Sequence, residues 1–263
     1  MNTLIPITDT ISIVPEGFGE YNQQVVHELL RRVVFFFSSI GLMDPVPLVV
    51  IHGESPQPMC CKPDNTDIHV IILNNEGKYW CQWIYQFSHE YCHHLINGEL
   101  TGETKGLMWL EESICHVSSI ACLVDMASYC YNSTSPVLNS FSDHFVNYYQ
   151  RLFNDAGLEQ YASYLSDPSD YKTFTEDQIL PLSEYIIENR TTLENNYSND
   201  HYSFIAGRLY PLFHNNKNLW KIIQFFSDMR SWTSIESFFD HLNKYGDETN
   251  IGSIKKLSSV FIS

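Results

Sequence analysis

The sequence predicts an α+β fold, in which a short group of strands comes first and helices make up the remainder. Two runs rich in β-branched residues, at 47–53 and 67–74, are typical of buried strands, and both lie in the first third of the chain. From residue 79 almost to the end, apolar residues recur at helical spacing. A chain of 263 residues with 44% hydrophobic side chains can bury one large core or two lobes that share an interface.

The first third of the chain alternates between strand and helix signals. Partial alternation of β-branched residues predicts a strand at 7–14, and apolar residues at helical spacing predict a helix at 21–40. The polar, proline-containing stretch at 53–65 is typical of a loop between the two buried strands.

The helical part begins with two long helices, at 79–97 and 107–131, joined by a glycine-containing loop at 97–106. After them, the NSTSP segment marks a boundary between an N-terminal α/β lobe, 1–132, and a helical C-terminal lobe, 133–263. Further helices are expected in the second lobe at 137–154, 176–189, 201–213, 217–230, 234–244 and 252–261.

Charge and targeting signals restrict the setting of the protein. The formal charge is −16, from 31 acidic and 15 scattered basic residues, which argues against binding to nucleic acid or to an anionic membrane surface. No basic segment followed by an apolar core begins the chain, and the longest apolar run, 33–43, is too short to span a bilayer. A cytoplasmic location is expected, and secretion without a classical leader stays open.

Seven cysteines are present, an odd number with no CxxC pair among them. This pattern argues against a disulfide framework and against a cysteine-based zinc ribbon.

The helix at 79–97 carries an HExxH motif, HEYCH, at residues 89–93. Residues four apart on a helix lie about 40° from each other, so His89 and His93 present their imidazoles toward one point. His94 lies about 100° round from His93, and Cys92 is directed away, so neither is expected to reach an ion held by that pair. Two histidines leave a zinc ion short of one protein ligand, which has to come from elsewhere.

The segment WLEESICH, 109–116, supplies that third ligand. Glu112 follows His93 with 18 residues between them. An apolar stripe on this helix is centred opposite Glu112, whereas the neighbouring Glu111 is displaced by about 100°. Direction on the helix therefore favours Glu112 over Glu111.

The combined pattern resembles the gluzincin zinc metallopeptidases, which carry HExxH, a spacer often of 18 residues, and a glutamate preceded by Trp and Leu. The resemblance is strongest at 79–122 and weaker at 201–213, and it implies a zincin-like fold whose two lobes form one catalytic unit. It also implies one zinc ion per chain, held by His89, His93 and Glu112, with Glu90 as the general base that activates a water molecule for peptide hydrolysis.

The resemblance further implies a donor that stabilises the oxyanion. Aligned with the family pattern YxKGxxLLxxL, the helix at 201–213 places Tyr202 at the catalytic tyrosine, and some gluzincins use a histidine instead, which keeps His201 open. The chain carries His116 where some members have a carboxylate four residues after the glutamate ligand. His116 is therefore expected to hydrogen-bond to a ligand histidine, with an added ligand or a solvated helix residue as alternatives.

A peptide or protein substrate is the expected partner. In gluzincins an extended peptide usually pairs with the edge strand before the HExxH helix, which corresponds to 67–74 here. The GxMEN segment that recognises a free amino terminus in many aminopeptidases of this class is not found in the sequence, so exopeptidase activity is not implied.

Two other functions stay open at this stage. The first is a non-catalytic binding or regulatory module that keeps the zincin fold and its zinc site. The second is a purely structural zinc site, which would need a fourth protein ligand such as His116.

Overall fold

A computed structural model describes residues 3–97, 106–227, 229–245 and 251–262. It contains a five-stranded mixed sheet in the first third of the chain, and helices form most of the remainder. This mixed composition agrees with the predicted α+β class. The predicted loop at 97–106 lies almost entirely outside the described residues.

The sheet has the strand order β1-β2-β3-β5-β4. Its central strands β2, β3 and β5 are parallel, and the edge strands β1 and β4 are antiparallel to their neighbours. Alternate residues of β3 and β5 are buried, as expected for strands that pack one face on a core. The strands are β1 Ile5–Pro6, β2 Ile11–Ile13, β3 Leu48–His52, β4 Met59–Cys61 and β5 His69–Leu73.

The strand predicted at 7–14 is confirmed only in its second half, as β2, because its first half forms the turn between β1 and β2. The backbone N–H groups of Ile7 and Thr8 both donate to the Ile11 carbonyl. The Thr8 hydroxyl accepts from the N–H groups of Thr10 and Ile11. Threonine hydroxyl groups thus satisfy the turn locally, in competition with a continuous strand.

The prediction that 53–65 is entirely a loop is also wrong, since β4 lies within it. This strand pairs with β5 at Met59–Ile72, Cys60–Ile71 and Cys61–Val70. Because β3 occupies the other side of β5, the strand predicted to receive a peptide at 67–74 is interior, and its backbone groups are already paired. The open edge beside the HExxH helix belongs to β4.

The first three helices are α1 Gln23–Ser38, α2 Trp80–Ile96 and α3 Met108–Tyr131, close to the predicted bounds. α2 carries HExxH and is buried nearly all round from residue 87 to 96, rather than on one face only. The reason is its position, with β4, β5 and α1 on one side and α3 on another. It ends at Asn97, whose left-handed backbone directs its N–H to the His93 carbonyl.

α3 is the central helix of the molecule and packs against α2 and two later helices. Ser118 and Ser119 donate hydrogen bonds to the backbone carbonyls of Ser88 and Tyr85, which draws α3 close to α2. Within the described part of the chain, α3 alone has the length and apolarity to cross a membrane, and 83% of its apolar window is buried in the fold. It is therefore packed as a core helix.

The remaining helices follow the prediction in outline and differ in their breaks. The helix predicted at 137–154 is interrupted at 140–141, that at 176–189 starts as a single 3-10 turn, and that at 217–230 is mainly 3-10. One helix, at 159–164, was not predicted. The division into lobes at 132–136 stays a prediction. The α-helices are α4 Pro136–Asn139, α5 Ser142–Asp155, α6 Glu159–Tyr164, α7 Ser183–Asn195, α8 Asn199–Asn215, α9 Ile235–Tyr245 and α10 Ile251–Phe261.

Candidate metal centre

Three potential metal ligands meet between α2 and the first turns of α3. One ligand atom each from His89, His93 and Glu112 lies within 4.8 Å of the other two, and among the described residues this is the group of three that could hold an ion. The His89 Nε2 atom is 3.3 Å from Glu112 Oε2, and the His93 Nε2 atom is 3.6 Å from Glu112 Oε1. Each of the three residues is buried, with between 6% and 8% of its surface exposed.

These distances fit a tetrahedral zinc ion. Nitrogen and oxygen ligands that each lie about 2.0 to 2.1 Å from zinc are separated by about 3.3 Å from one another. Of the two separations, that from His89 Nε2 to Glu112 Oε2, 3.3 Å, equals this value, and that from His93 Nε2 to Glu112 Oε1, 3.6 Å, is slightly longer. Two imidazoles and one carboxylate are also the donor set of catalytic zinc sites that keep a fourth position for water.

Glu111 binds the opposite edge of one ligand ring. The His93 Nδ1–H group donates to Glu111 Oε1 over 2.8 Å, and the Glu111 side chain is 2% exposed. This contact leaves His93 Nε2 as the atom that would face a bound ion, and a carboxylate in this position makes a ligand imidazole more basic. Helical spacing correctly directs Glu111 away from the candidate metal position, but it does not predict that Glu111 accepts a hydrogen bond from His93 Nδ1.

The charges of this group stabilise each other. Burial by itself would raise the pKa of the Glu112 carboxyl, but His93 and His89 hold that pKa well below its ordinary value. Burial likewise opposes protonation of His93, and the carboxylates of Glu112 and Glu111 nevertheless raise its pKa well above the usual range. A cation placed among these residues would meet the ionised carboxylate of Glu112.

Glu90 lies beside the three ligands and contributes none of their atoms. Burial raises the pKa of its carboxyl, and the nearby charges of His89 and His93, together with a hydrogen bond from the Cys60 backbone, oppose that effect. The Cys60 contact joins Glu90 to strand β4. A carboxylate with a raised pKa is a stronger base, as an acceptor of a proton from water requires.

The group opens into a cleft of about 610 Å³. One wall is formed by β4 and the segment before it, the floor by α2, and the other wall by the start of α3 and the N-terminal region of α8. The lining residues are Ser55, Pro56, Gln57, Pro58, Met59, Cys60, Cys61, Tyr85, Gln86, His89, Glu90, His93, Met108, Glu112, His116, Tyr197, Asn199 and Ser203.

His116 also lines the cleft, but its contacts differ from those expected. Its Nδ1 atom forms a 2.9 Å hydrogen bond with the Tyr85 hydroxyl, and its ring packs edge-on against His89 with 4.7 Å between centroids. Burial, followed by the charge of His89, lowers the pKa of His116 to about 3. The ring therefore supports His89 by contact.

Tyr202 and His201 lie outside the lining of the cleft. The Tyr202 hydroxyl donates to the Asn196 carbonyl over 3.3 Å, and the residue is 1% exposed. His201 Nδ1 hydrogen-bonds to the Tyr185 hydroxyl.

Tyr197, which packs against Tyr202 at the start of α8, reaches the cleft instead. Burial raises the pKa of Tyr197, and the next contributions come from Glu112, Tyr202 and Glu90, of which the two glutamates line the same cleft. Its residue is 43% exposed, so it borders open space. The sequence pattern selected the core tyrosine of this pair and missed the one at the cleft, because core spacing carries no signal for a residue that precedes the helix.

His94 and Cys92 are directed away from the metal group, as helical geometry predicts. His94 is fully buried, and its Nδ1 atom forms a 2.9 Å hydrogen bond with Nδ1 of His69 on β5. Its Nε2 atom lies 3.4 Å from Asp44 Oδ1. Cys92 is a buried free thiol, and all seven cysteines are free. These contacts attach the far side of α2 to the sheet.

No protein-family model matches the chain, and no significant match was found among curated protein sequences.

Proposed function

We propose that this protein is a zinc-dependent metallopeptidase of the gluzincin type, with a zincin-like fold. The observation that carries the proposal is the buried group of His89, His93 and Glu112, which has tetrahedral spacing and opens into a cleft that Glu90 also lines. Three protein ligands are suited to a catalytic ion, whereas a structural ion usually has four. The antiparallel edge strand β4 beside the HExxH helix supports the proposed fold.

Each residue of the site has a separate role in the proposed hydrolysis of a peptide bond. A zinc ion bound by His89, His93 and Glu112 would act as a Lewis acid that lowers the pKa of water and polarises a peptide carbonyl. The Glu90 carboxylate accepts a proton from the attacking water and passes it to the leaving amine. Glu111 holds His93 in the tautomer that presents Nε2. The Tyr197 hydroxyl donates a hydrogen bond to the developing oxyanion.

The substrate in this proposal is an extended peptide that adds to the outer edge of β4. Main-chain hydrogen bonds of this kind are indifferent to sequence, which suits a peptidase. Cys60 lies at the middle of β4, and its backbone contacts Glu90. A peptide on this edge would therefore run directly past the proton acceptor.

Metal analysis combined with three variants tests the proposal. We expect about one zinc ion per chain in the wild-type protein, loss of zinc in His89→Ala and in Glu112→Ala, and retention of zinc in Glu90→Gln. Peptide cleavage, measured by mass spectrometry on a broad peptide library, should be lost in all three variants. The Glu90→Gln variant matters most, because it separates proton transfer from metal binding.

Two results would contradict the proposal in different ways. A wild-type protein that binds zinc and cleaves no peptide of the library would leave the binding or regulatory module as the function. Full zinc affinity in Glu112→Ala would show that the third ligand is misassigned.

A further inference from the structure

Gln86 lies on the helix stripe that forms the floor of the cleft. It precedes His89 by three residues, Glu90 by four and His93 by seven, so all four lie on one side of α2. All four side chains line the cleft. Gln86 thus sits about one helical turn from the proposed proton acceptor.

Asn74, just after β5, fixes the orientation of the Gln86 amide. The Asn74 backbone N–H donates to Gln86 Oε1 over 3.2 Å, and Gln86 Nε2 donates to Asn74 Oδ1 over 2.6 Å. A backbone N–H requires an acceptor, so Oε1 has to face it. The reciprocal pair therefore defines which end of the Gln86 amide is oxygen and which is nitrogen.

The pair is anchored to the wall of the cleft as well. The Asn74 Nδ2 group donates to the backbone carbonyls of Ser55 and Pro56, over 3.1 Å and 3.0 Å. Ser55 and Pro56 also line the cleft. Asn74 thus connects the segment before β4 with the helix that bears the metal ligands.

One hydrogen of the Gln86 amide is left over. An amide NH₂ group has two donors, and Asn74 Oδ1 takes one of them. Nε2 forms no other hydrogen bond with the described residues, and the half-buried side chain borders the cleft. The result is an oriented neutral donor beside a substrate-sized space.

We propose that Gln86 binds substrate by donating this hydrogen bond to a carbonyl oxygen of the peptide in the cleft, and that Asn74 is the residue that positions it. The inference rests on the proposed peptidase function. A neutral carbonyl is the matching acceptor for a neutral amide donor, and the described residues that line the cleft include the carboxylates of Glu90 and Glu112 and no lysine or arginine that would hold a carboxylate beside Gln86. The carbonyl can belong to the peptide main chain or to an Asn or Gln side chain.

Kinetics of Gln86→Met and Gln82→Met test the proposal. Methionine keeps the length of glutamine and removes the donor, and Gln82 is an exposed residue one turn earlier on α2, so it is the matched control. Loss of one neutral hydrogen bond predicts a fall in kcat/KM of about 3- to 10-fold for Gln86→Met, chiefly through KM, with zinc content unchanged. Gln82→Met should match the wild type.

Two further experiments test the role of Asn74 and identify which carbonyl of the peptide is bound. Asn74→Leu should cause a loss of similar size, and the double variant with Gln86→Met should lose little more, since the two residues act as a unit. To test side-chain carbonyls, single Gln or Asn residues of the substrate peptide are replaced by Met or Leu. To test main-chain carbonyls, single amide bonds of the peptide are replaced by thioamides. The wild-type protein should cleave the analogue that lacks the bound carbonyl more slowly than the parent peptide. The Gln86→Met variant, which lacks the donor, should cleave that analogue and the parent peptide at equal rates.

The outcomes separate this inference from the proposed function. Equal kcat/KM for the Gln86→Met and Gln82→Met variants on every peptide overturns the inference and leaves peptidase activity intact. If the zinc-loaded wild type binds peptides without cleaving them, the same comparison is made on Kd by calorimetry, and a selective loss in Gln86→Met supports the inference alone. Absence of both cleavage and binding overturns both proposals. If Gln86→Met fails to fold by circular dichroism, Gln86→Glu, which also removes the donor, takes its place.

Discussion

Glu111 and Glu112 are neighbours in the sequence, yet their carboxylates approach opposite edges of the His93 imidazole. Glu112 lies near Nε2, and Glu111 accepts from Nδ1. A helix achieves this because adjacent residues point about 100° apart, so one glutamate reaches the ion position and the other passes behind the ring. The pair would therefore supply one metal ligand, Glu112, and a hydrogen-bond acceptor for a second, His93, from a single turn of α3.

Replacement of Glu111 should weaken metal binding while the three ligands stay in place. In Glu111→Ala, we expect zinc affinity to fall about 10- to 100-fold, because His93 loses the acceptor that fixes its tautomer. Glu111→Gln, which keeps an acceptor oxygen, should lose less. Competition titration against a chromogenic chelator measures both, and equal affinity in Glu111→Ala and wild type would refute the assigned role.

Tyr197 and Tyr202 offer a direct comparison of two adjacent tyrosines. Tyr197→Phe should lower kcat by about 10²- to 10³-fold, the usual effect of removing one oxyanion donor, with zinc retained. Tyr202→Phe removes only a hydroxyl that contacts the Asn196 carbonyl, so its kcat should stay within a few fold of wild type. Steady-state kinetics on one cleaved peptide measures both effects. A larger loss of kcat in Tyr202→Phe than in Tyr197→Phe would assign the oxyanion donor to Tyr202 instead.

The residues of the candidate site differ in how visible they are in the sequence. His89 and His93 could be predicted because helical period acts over short distances along the chain, and Glu112 because its spacing from His93 resembles the gluzincin pattern. Tyr197 could not, since its position depends on how α8 packs against α3, which is a tertiary contact between distant segments. Gln86 carries no signal of its own in the sequence, because Asn74, which orients its amide, lies after strand β5 and not on α2.

At the scale of elements, the ends of strands and helices are where local signals fail. Leu48–His52 and His69–Leu73 were predicted from β-branched runs. Met59–Cys61 carries no such run and becomes a strand only because β5 offers it a free edge. β-propensity reflects packing on a sheet more than backbone preference, so an edge strand of this kind is hidden in the sequence.

The end of α2 depends on one residue with a left-handed backbone. Asn97 has φ of 53° and directs its N–H to the carbonyl of the ligand His93. Asn97→Gly should leave the free energy of unfolding nearly unchanged, because glycine adopts this conformation freely. Asn97→Val should cost about 1 to 2 kcal/mol, because a side chain branched at Cβ clashes there. Urea denaturation measures both, and equal stability of the two variants would contradict the assigned cap.

At the scale of the whole molecule, the metal group joins the sheet-packed helix α2 to the central helix α3. Most of the architecture that brings them together follows from hydrophobic periodicity, which predicted both helices. The mutual arrangement of the elements could not be predicted with the same detail, because the serine contacts that draw α3 onto α2 look like ordinary helix residues in the sequence.

Metal binding should therefore stabilise the fold as a whole. At a free zinc concentration 100 times Kd, binding contributes about 2.7 kcal/mol, which for a chain of this size raises Tm by roughly 5 to 10 °C. Differential scanning calorimetry with zinc and with a chelator measures the shift. Glu112→Ala should reduce it strongly, and Glu90→Gln, which keeps all three ligands, should retain it. An equal shift in both variants would place the bound ion elsewhere.

The edge strand β4 is three residues long, with Pro58 immediately before it and Pro63 two residues after it. Proline cannot donate a main-chain hydrogen bond, and a short edge next to a lysine, here Lys62, resists pairing between copies of a chain. The free edge of β4, which we propose binds one peptide, is thus too short to pair stably with the same edge of a second copy. Aggregation through this edge is therefore disfavoured.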